Sequence, residues 1–201
     1  MKFTKIKWKG GAVLAPVPAV MVTCGSEEKP NVLTIAWTGT INTNPPKTYI
    51  SVRPTRHSYN IIKESKEFVI NLTTASLVRA TDYCGVKSGK NENKFEKMNL
   101  EYEKANELNT VMLTDSPVTL ECRVCDIIPL GTHDMFLADI VAVNVAQELI
   151  DENGRLDLQK ADLIAYSHGE YFRLGQKLGT FGYSVRKKKK KRKLPSDKTE
   201  K

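Results

Sequence analysis

The chain has 201 residues, of which 40% are hydrophobic and 27% charged, and its formal net charge is +8. That length suits one well-buried domain, with or without a tail, and is short for two. No apolar run approaches the roughly 20 residues that cross a bilayer, and MKFTKIKWKGG at the N-terminus has no apolar signal-peptide core, so the expected location is the cytoplasm.

Strands are expected near 18–24, 32–39 and 48–53, each rich in Val, Ile, Thr or aromatic residues and separated by Gly, Asn and Pro clusters. NTNPP, 42–46, is a turn. Within the second strand, alternation places Thr34, Ala36 and Thr38 on one face and Ile35 and Trp37 on the other. Small residues there let a flat ring approach the backbone. The next segment gathers Ser51, Arg53, Arg56, His57 and Ser58, and Ser58 is suited to cap a helix over 59–65. Two arginines and a helix N-terminus are what a phosphate needs: charge, directed donors and a favourable dipole. The same residues also suit an exposed basic turn with a capping serine, and both readings stand at this point.

EFVINL, 67–72, reads as a buried strand; it makes the sequon Asn71-Leu72-Thr73 an unsuitable glycosylation site. A second helix is expected over 76–83, then a polar, Gly-containing loop, CGVKSGKNENKF, 84–95, which carries Lys94. Two long β runs, 117–128 and 135–147, joined by PLGTHD, form an expected antiparallel hairpin with His133 at its turn. In the first run Val118, Leu120, Cys122 and Val124 alternate with Thr119, Glu121 and Arg123, as in a half-buried strand. Cys122 and Cys125 make a CxxC, but residues three apart on a strand face opposite ways about 10 Å apart, beyond disulfide reach. With no second CxxC or His pair, a metal is not expected. DENG, 151–154, marks a further turn.

The residues from Arg186 to Lys201 include ten of the 31 basic residues and two of the 23 acids, leaving 21 of each in the body. The body is neutral, and the basicity belongs to a tail, 186–201, that has too little to bury and is expected to be disordered. Such a tail suits weak, salt-sensitive binding to polyanions. The rest, 1–185, is one domain. Six or more strands with a few short helices, and no strand-helix-strand alternation, argue for a mainly β, antiparallel barrel with helices on its flank. Neither GxGxxG nor GxxxxGK[ST] is present, so a nucleotide would have to be held another way.

Six blocks, PNVLTIAWTGTINTNPPKTYISVRPTRHS, EFVINL, DYCGVKSGKNENKF, SPVTLECRV, LGTHDMFLADIVAV and YFRLGQKLGTFGYSV, in this order, strongly resemble the flavin reductase-like family that includes flavoredoxins. The resemblance covers residues 10 to 185 and implies an FMN-binding split barrel of Greek-key type that forms a homodimer. By that likeness Asn31, Thr34, Ala36 and Trp37 lie along the isoalloxazine ring, and Ser51, Arg53, Arg56 and Ser58 hold the phosphate. Lys94 and His133 approach the reactive side of the flavin, with Tyr166 nearby. Lys94, His133 and Trp37 are then the expected catalytic set, acting by positioning and electrostatics. The function implied is hydride transfer from NADH or NADPH to FMN and onward electron transfer to an acceptor. Two alternatives stand beside it: a flavoredoxin-type carrier reduced by a redox protein partner, and a non-enzymatic barrel whose basic tail binds nucleic acid.

Overall fold

The computed structural model describes residues 2–186. The basic tail beyond Arg186, with the disorder and polyanion binding expected of it, lies outside the described residues. Twelve strands are present among them: β1 (Val17–Pro18), β2 (Val20–Cys24), β3 (Asn31–Ile35), β4 (Thr38–Thr43), β5 (Pro46–Val52), β6 (Glu67–Leu72), β7 (Tyr102–Lys104), β8 (Val111–Leu113), β9 (Val118–Pro129), β10 (Asp134–Val145), β11 (Ile164–Ser167) and β12 (Glu170–Arg173). Three helices accompany them: α1 (His57–Ser65), α2 (Val78–Val86) and α3 (Lys94–Met98). No helix among them is long and apolar enough to cross a membrane.

The main sheet has seven antiparallel strands in the order β3-β2-β6-β9-β10-β5-β4. Its two outermost strands, β3 and β4, follow each other in the chain. Ala36 and Trp37 carry the chain from one edge of the sheet to the other, and Ser51 N–H donates to the Trp37 carbonyl at 3.0 Å. The sheet is thereby curled into a barrel, with hairpins β2–β3, β4–β5 and β9–β10 interleaved by long connections in Greek-key order.

Every-second-residue burial builds the barrel's interior. Val20, Val22 and Cys24, Leu33 and Ile35, Ile50 and Val52, Phe68 and Ile70, Cys122 and Val124, and Phe136 and Ala138 all point inward, with Tyr59 and Ile62 of α1 packed among them. Phe68 and Phe136 are fully buried, each stabilising by about 3 kcal/mol relative to exposure. The Tyr59 ring meets Phe136 edge to face at 5.3 Å, and its hydroxyl donates to Asp134. A second core lies outside the barrel wall, where Met21 and Val32 pack under Leu77 at the N-cap of α2, Ala80 and Cys84 of α2, Phe95 of α3, and Val111 and Leu113 of β8. This is why VMVTC is buried on both faces.

Several sequence expectations need correction. The strand expected over 32–39 breaks at Ala36 and Trp37, the corner of the barrel. Ser58 does not cap α1, whose N-cap is Arg56 with no side-chain cap; Ser58 is buried one residue inside and accepts from Asn31 instead. The second helix runs to Val86, and the loop expected over 84–95 shrinks because α3 begins at Lys94. The β9 strand is buried on both faces over its first half. Glu121, with no exposure, accepts from Asn106 N–H, Glu107 N–H and Asn144 Nδ2, so it pins the loop that covers it. Asn71 is likewise buried, donating to Met21 O and accepting from Leu113 N–H, which leaves no sequon at the surface.

Cys24, Cys84 and Cys122 are buried free thiols and Cys125 is exposed. Cys125 stands at a β-bulge opposite Leu137 and Ala138. Burial pushes the Cys24 and Cys84 thiols up to about 11 and Cys122 higher still. A disulfide-exchange reagent at mildly alkaline pH is therefore expected to react rapidly with Cys125 alone, and with all four thiols only in denaturant. Rapid reaction of a second thiol in the native protein would contradict this burial.

Candidate functional site

The barrel corner opens into a cleft of about 480 Å³, a volume within the roughly 300–1,000 Å³ of small-molecule sites. Its floor is Thr34, Ile35, Ala36 and Trp37, and Ser51, Val52 and Arg53 at the end of β5 form the adjoining wall. The Thr34 hydroxyl is spent on the Thr81 carbonyl, and Gly85 lies so close that an added Cβ would stand 3.3 Å from Thr34 Cβ. What this wall offers a ligand is therefore flat and mostly apolar surface. Trp37 is 43% exposed, facing the cleft and not the core.

The β11–β12 hairpin of the small sheet β1-β11-β12 forms part of the rim. Tyr166 and Tyr171 meet there edge to face at 5.4 Å, and the Tyr171 hydroxyl donates to Asp82 Oδ1 at 3.3 Å. Burial first, then the Asp82 charge, pushes the Tyr171 phenol up to about 12.

Arg53 and Arg56 border both this cleft and a smaller pocket of about 230 Å³. Thr55, His57 and Ser58 at the start of α1, and Lys87, Ser88 and Gly89 of the α2–α3 connection, complete the smaller pocket, with Lys94 at its base. Among the described residues neither arginine has a carboxylate partner; the ion pairs are Lys47–Asp139 and Arg173–Asp162. The first turn of α1 carries no side-chain cap and no acid, so its leading N–H groups and dipole are available to an anion. This end is built to receive negative charge.

The residues singled out from sequence divide between the two ends. Thr34, Ala36, Trp37, Ser51, Tyr166 and His133 line the large cleft, Ser58 and Lys94 the small pocket, and Arg53 and Arg56 both. Asn31 lines neither; it stands behind the small pocket, where its Nδ2 donates to Ser58 Oγ, and an added Cβ on Gly89 would strike its Oδ1 at 2.0 Å. Lys94 is 4% exposed, against the expectation of a loop lysine, and its Nζ donates to the Cys84 carbonyl at 3.2 Å and the Lys87 carbonyl at 3.3 Å. It fixes the end of α2 and the loop over the pocket. Burial lowers its pKa, with the neighbouring Cys84 and Cys24 thiols pulling the other way.

Sequence reasoning missed Asp82, Gly85 and Val86 of α2, and Gly169 and Tyr171 of the β11–β12 hairpin. The α2 trio follows a helical spacing of three and four, a pattern that ordinary helix surfaces share. The hairpin residues carry no local motif.

At the hairpin turn, Arg53 Nε–H donates to His133 Nε2 at 3.4 Å, and the Thr132 hydroxyl sits 3.0 Å from Nδ1. That geometry requires a neutral ring with its proton on Nδ1. Burial, reinforced by the Arg53 and Arg56 charges, holds the His133 pKa below its ordinary 6.5. The depressed value favours the folded state above the unfolded pKa, and the contribution is lost as pH falls through the folded pKa. An NMR titration is expected to give His133 a midpoint under 6.5, and Arg53→Ala is expected to raise it. A midpoint that is ordinary, or unmoved by Arg53→Ala, would refute this pairing.

A flavin mononucleotide fits these two ends: a cleft with a flat aromatic floor and a polar rim at one, and, at the other, cations without carboxylate partners among the described residues beside free helix N–H groups. Residues 13–175 match the family described as flavin reductase like domain. The fold is similar to that of flavoredoxin from Desulfovibrio vulgaris (Miyazaki F), with a TM-score of 0.84 and 25% identity over 91% of this chain and 100% of that one. It is also similar to flavoredoxin from Methanosarcina acetivorans, with a TM-score of 0.82 and 26% identity, covering 92% and 100%. An FMN-binding protein from Thermus thermophilus shares the fold at a TM-score of 0.73 and 19% identity, covering 90% and 99%.

Proposed function

The chain belongs to the flavin reductase like family, and on that footing we propose that it binds FMN and transfers a hydride from NADH or NADPH to it, with onward electron transfer to an acceptor. One observation carries the reading. Two arginines without carboxylate partners among the described residues and a helix start with no side-chain cap share a pocket wall with a cleft floored by Thr34, Ala36 and Trp37.

In this reading Arg53, Arg56 and the first N–H groups of α1 hold the phosphate, and Ser58, tied to Asn31, orients the pocket floor. Lys94 holds the connection 87–93 over the phosphate and adds a fixed positive charge beneath it. Thr34, Ala36 and Trp37 take the flat ring, Ser51 meets its polar edge, and Tyr166 shields the mouth from water. When bound, FMN supplies the hydride chemistry, and the chain supplies positioning and electrostatics. His133, kept neutral, accepts from Arg53 and so keeps that guanidinium at the junction of cleft and pocket. Arg53 then stabilises the negative charge that grows on reduction, a role a neutral imidazole does not fill.

A flavoredoxin-type carrier is the second reading, favoured by the two flavoredoxin structures that this chain covers end to end. Anaerobic visible spectroscopy separates them. The purified or FMN-loaded protein is expected to be yellow and to bleach within seconds of adding NADH or NADPH. No bleaching by either, with bleaching by a reduced redox protein, would establish the carrier instead; no uptake of FMN at all would sink both.

We further propose a homodimer, a reading supported by the two terminal segments of the described residues. Phe3, Ile6 and Trp8 at one end, and Leu178, Phe181 and Val185 at the other, are each more than three-quarters exposed. Apolar arms of this kind need a partner surface, and a second copy supplies one by symmetry. Sedimentation equilibrium at micromolar concentration is expected to return twice the 22.6 kDa chain mass; a monomer would reject the dimer.

A further inference from the structure

Among the described residues Lys94 is the one buried Lys or Arg. Two of its ammonium hydrogens go to the Cys84 and Lys87 carbonyls at the C-terminal end of α2, the end of a helix that attracts a cation. The third finds no acceptor among the described residues, and the side chain lines the small pocket. The groups that face Lys94 leave its charge without a partner. Cys84 of α2 and Cys24 of β2 are thiols that burial keeps neutral. Arg53 and Arg56 before α1, and Lys87 after α2, are cations on the same pocket, with His57 beside them. Glu92 is the one carboxylate whose charge reaches Lys94. It is engaged elsewhere, its Oε2 accepting from the Tyr83 hydroxyl at 2.6 Å, and it forms no ion pair with Lys94. A buried ammonium with no counter-ion holds its proton weakly. A phosphate in the pocket supplies the missing counter-ion.

We propose that the small pocket takes up a proton together with its phosphate, that Lys94 is the group that gains the proton, and that the pocket thereby holds a dianionic phosphomonoester in a pH-dependent way. The proposal rests on the flavin reading above, in which the phosphate is that of FMN, and adds its regulation. The proton comes from solvent, and no covalent bond of the ligand changes. A bound anion raises the Lys94 pKa above its value in the free protein. Binding is therefore strongest below the free-protein pKa, weakens by up to about tenfold per pH unit as pH rises through it, and levels off above the pKa of the complex. Near neutral pH the cofactor is retained, and alkali loosens it from the phosphate end.

The test is calorimetric titration of the apoprotein with FMN, with riboflavin and with inorganic phosphate, from about pH 7 to about pH 9.5. Each titration is run in two buffers of unlike ionisation enthalpy, which counts the protons exchanged. FMN and inorganic phosphate are expected to bring net proton uptake on the alkaline side, and riboflavin none. Lys94→Met is expected to abolish the uptake and to flatten the pH dependence of FMN affinity. The proton count on the unsubstituted protein decides should that variant misfold. FMN binding with no proton uptake anywhere in the range, equal uptake with riboflavin, or uptake that survives in folded Lys94→Met would each overturn the proposal. Failure of the flavin reading has a different signature: the apoprotein takes up no FMN, and inorganic phosphate alone then decides, its binding with proton uptake sustaining the role of Lys94 and its binding without uptake, or failure to bind, ending it.

Discussion

The structure depends on one turn of the chain, the passage through Ala36 and Trp37 from β3 at one edge of the sheet to β4 at the other. The Trp37 carbonyl accepts from Ser51 N–H, which locks the corner to the end of β5. Everything functional hangs from that junction. It sets Trp37 and Ser51 side by side, sends the chain on through Arg53 and Arg56, and starts α1 beside the wall it has just built. The aromatic floor and the cationic pocket are adjacent because they are successive stretches of one folded-over segment, Asn31 to Ile62.

Rigidity beneath the corner comes from the alternating interior of the barrel, to which Ile50, Val52, Tyr59 and Ile62 contribute from the same segment. Leu33 belongs to that core and also lines both pockets, so the site is a continuation of the packed interior. On the opposite side of the pocket, Lys94 is buried against two carbonyls. Removing an ammonium from water is costly. That cost is offset here by holding the end of α2 and the connection 87–93, and in the proposed reading the same ammonium stands beneath the phosphate. In the proposed reading a phosphate at this end gains about 1.5–3 kcal/mol from each charge-assisted bond to Arg53, Arg56 and the leading N–H groups of α1, so the anionic end would supply most of the affinity.

The antiparallel, mainly β architecture was legible because 33–35 and 50–52 alternate, 20–24 and 68–70 are short apolar runs of strand-forming residues, and the turns carry Gly, Asn and Pro. The residues lining the adjoining cleft and pocket could be read together because most of them lie within one short segment. Other features were hidden for physical reasons. Alternation continues through Ile35-Ala36-Trp37, so nothing local announces that the strand breaks to change edges. Ser58 has the chemistry of a cap, and only the tertiary approach of Asn31 diverts its hydroxyl. Lys94 looks like any loop lysine until α3 forms and buries it. The place of β11 and β12 at the rim depends on contacts such as that of Tyr171 with Asp82, 89 residues apart, which no window along the chain reveals.

The central claim is a two-ended site whose anionic end dominates affinity. It is tested most directly by comparing the dissociation constants of FMN and riboflavin, which share the ring and differ in the phosphate, by quenching of flavin fluorescence. FMN is expected to bind about 100-fold more tightly or better, the equivalent of two charge-assisted bonds. Equal affinities would show that Arg53, Arg56 and the start of α1 do not hold a phosphate, and would contradict the account at its foundation.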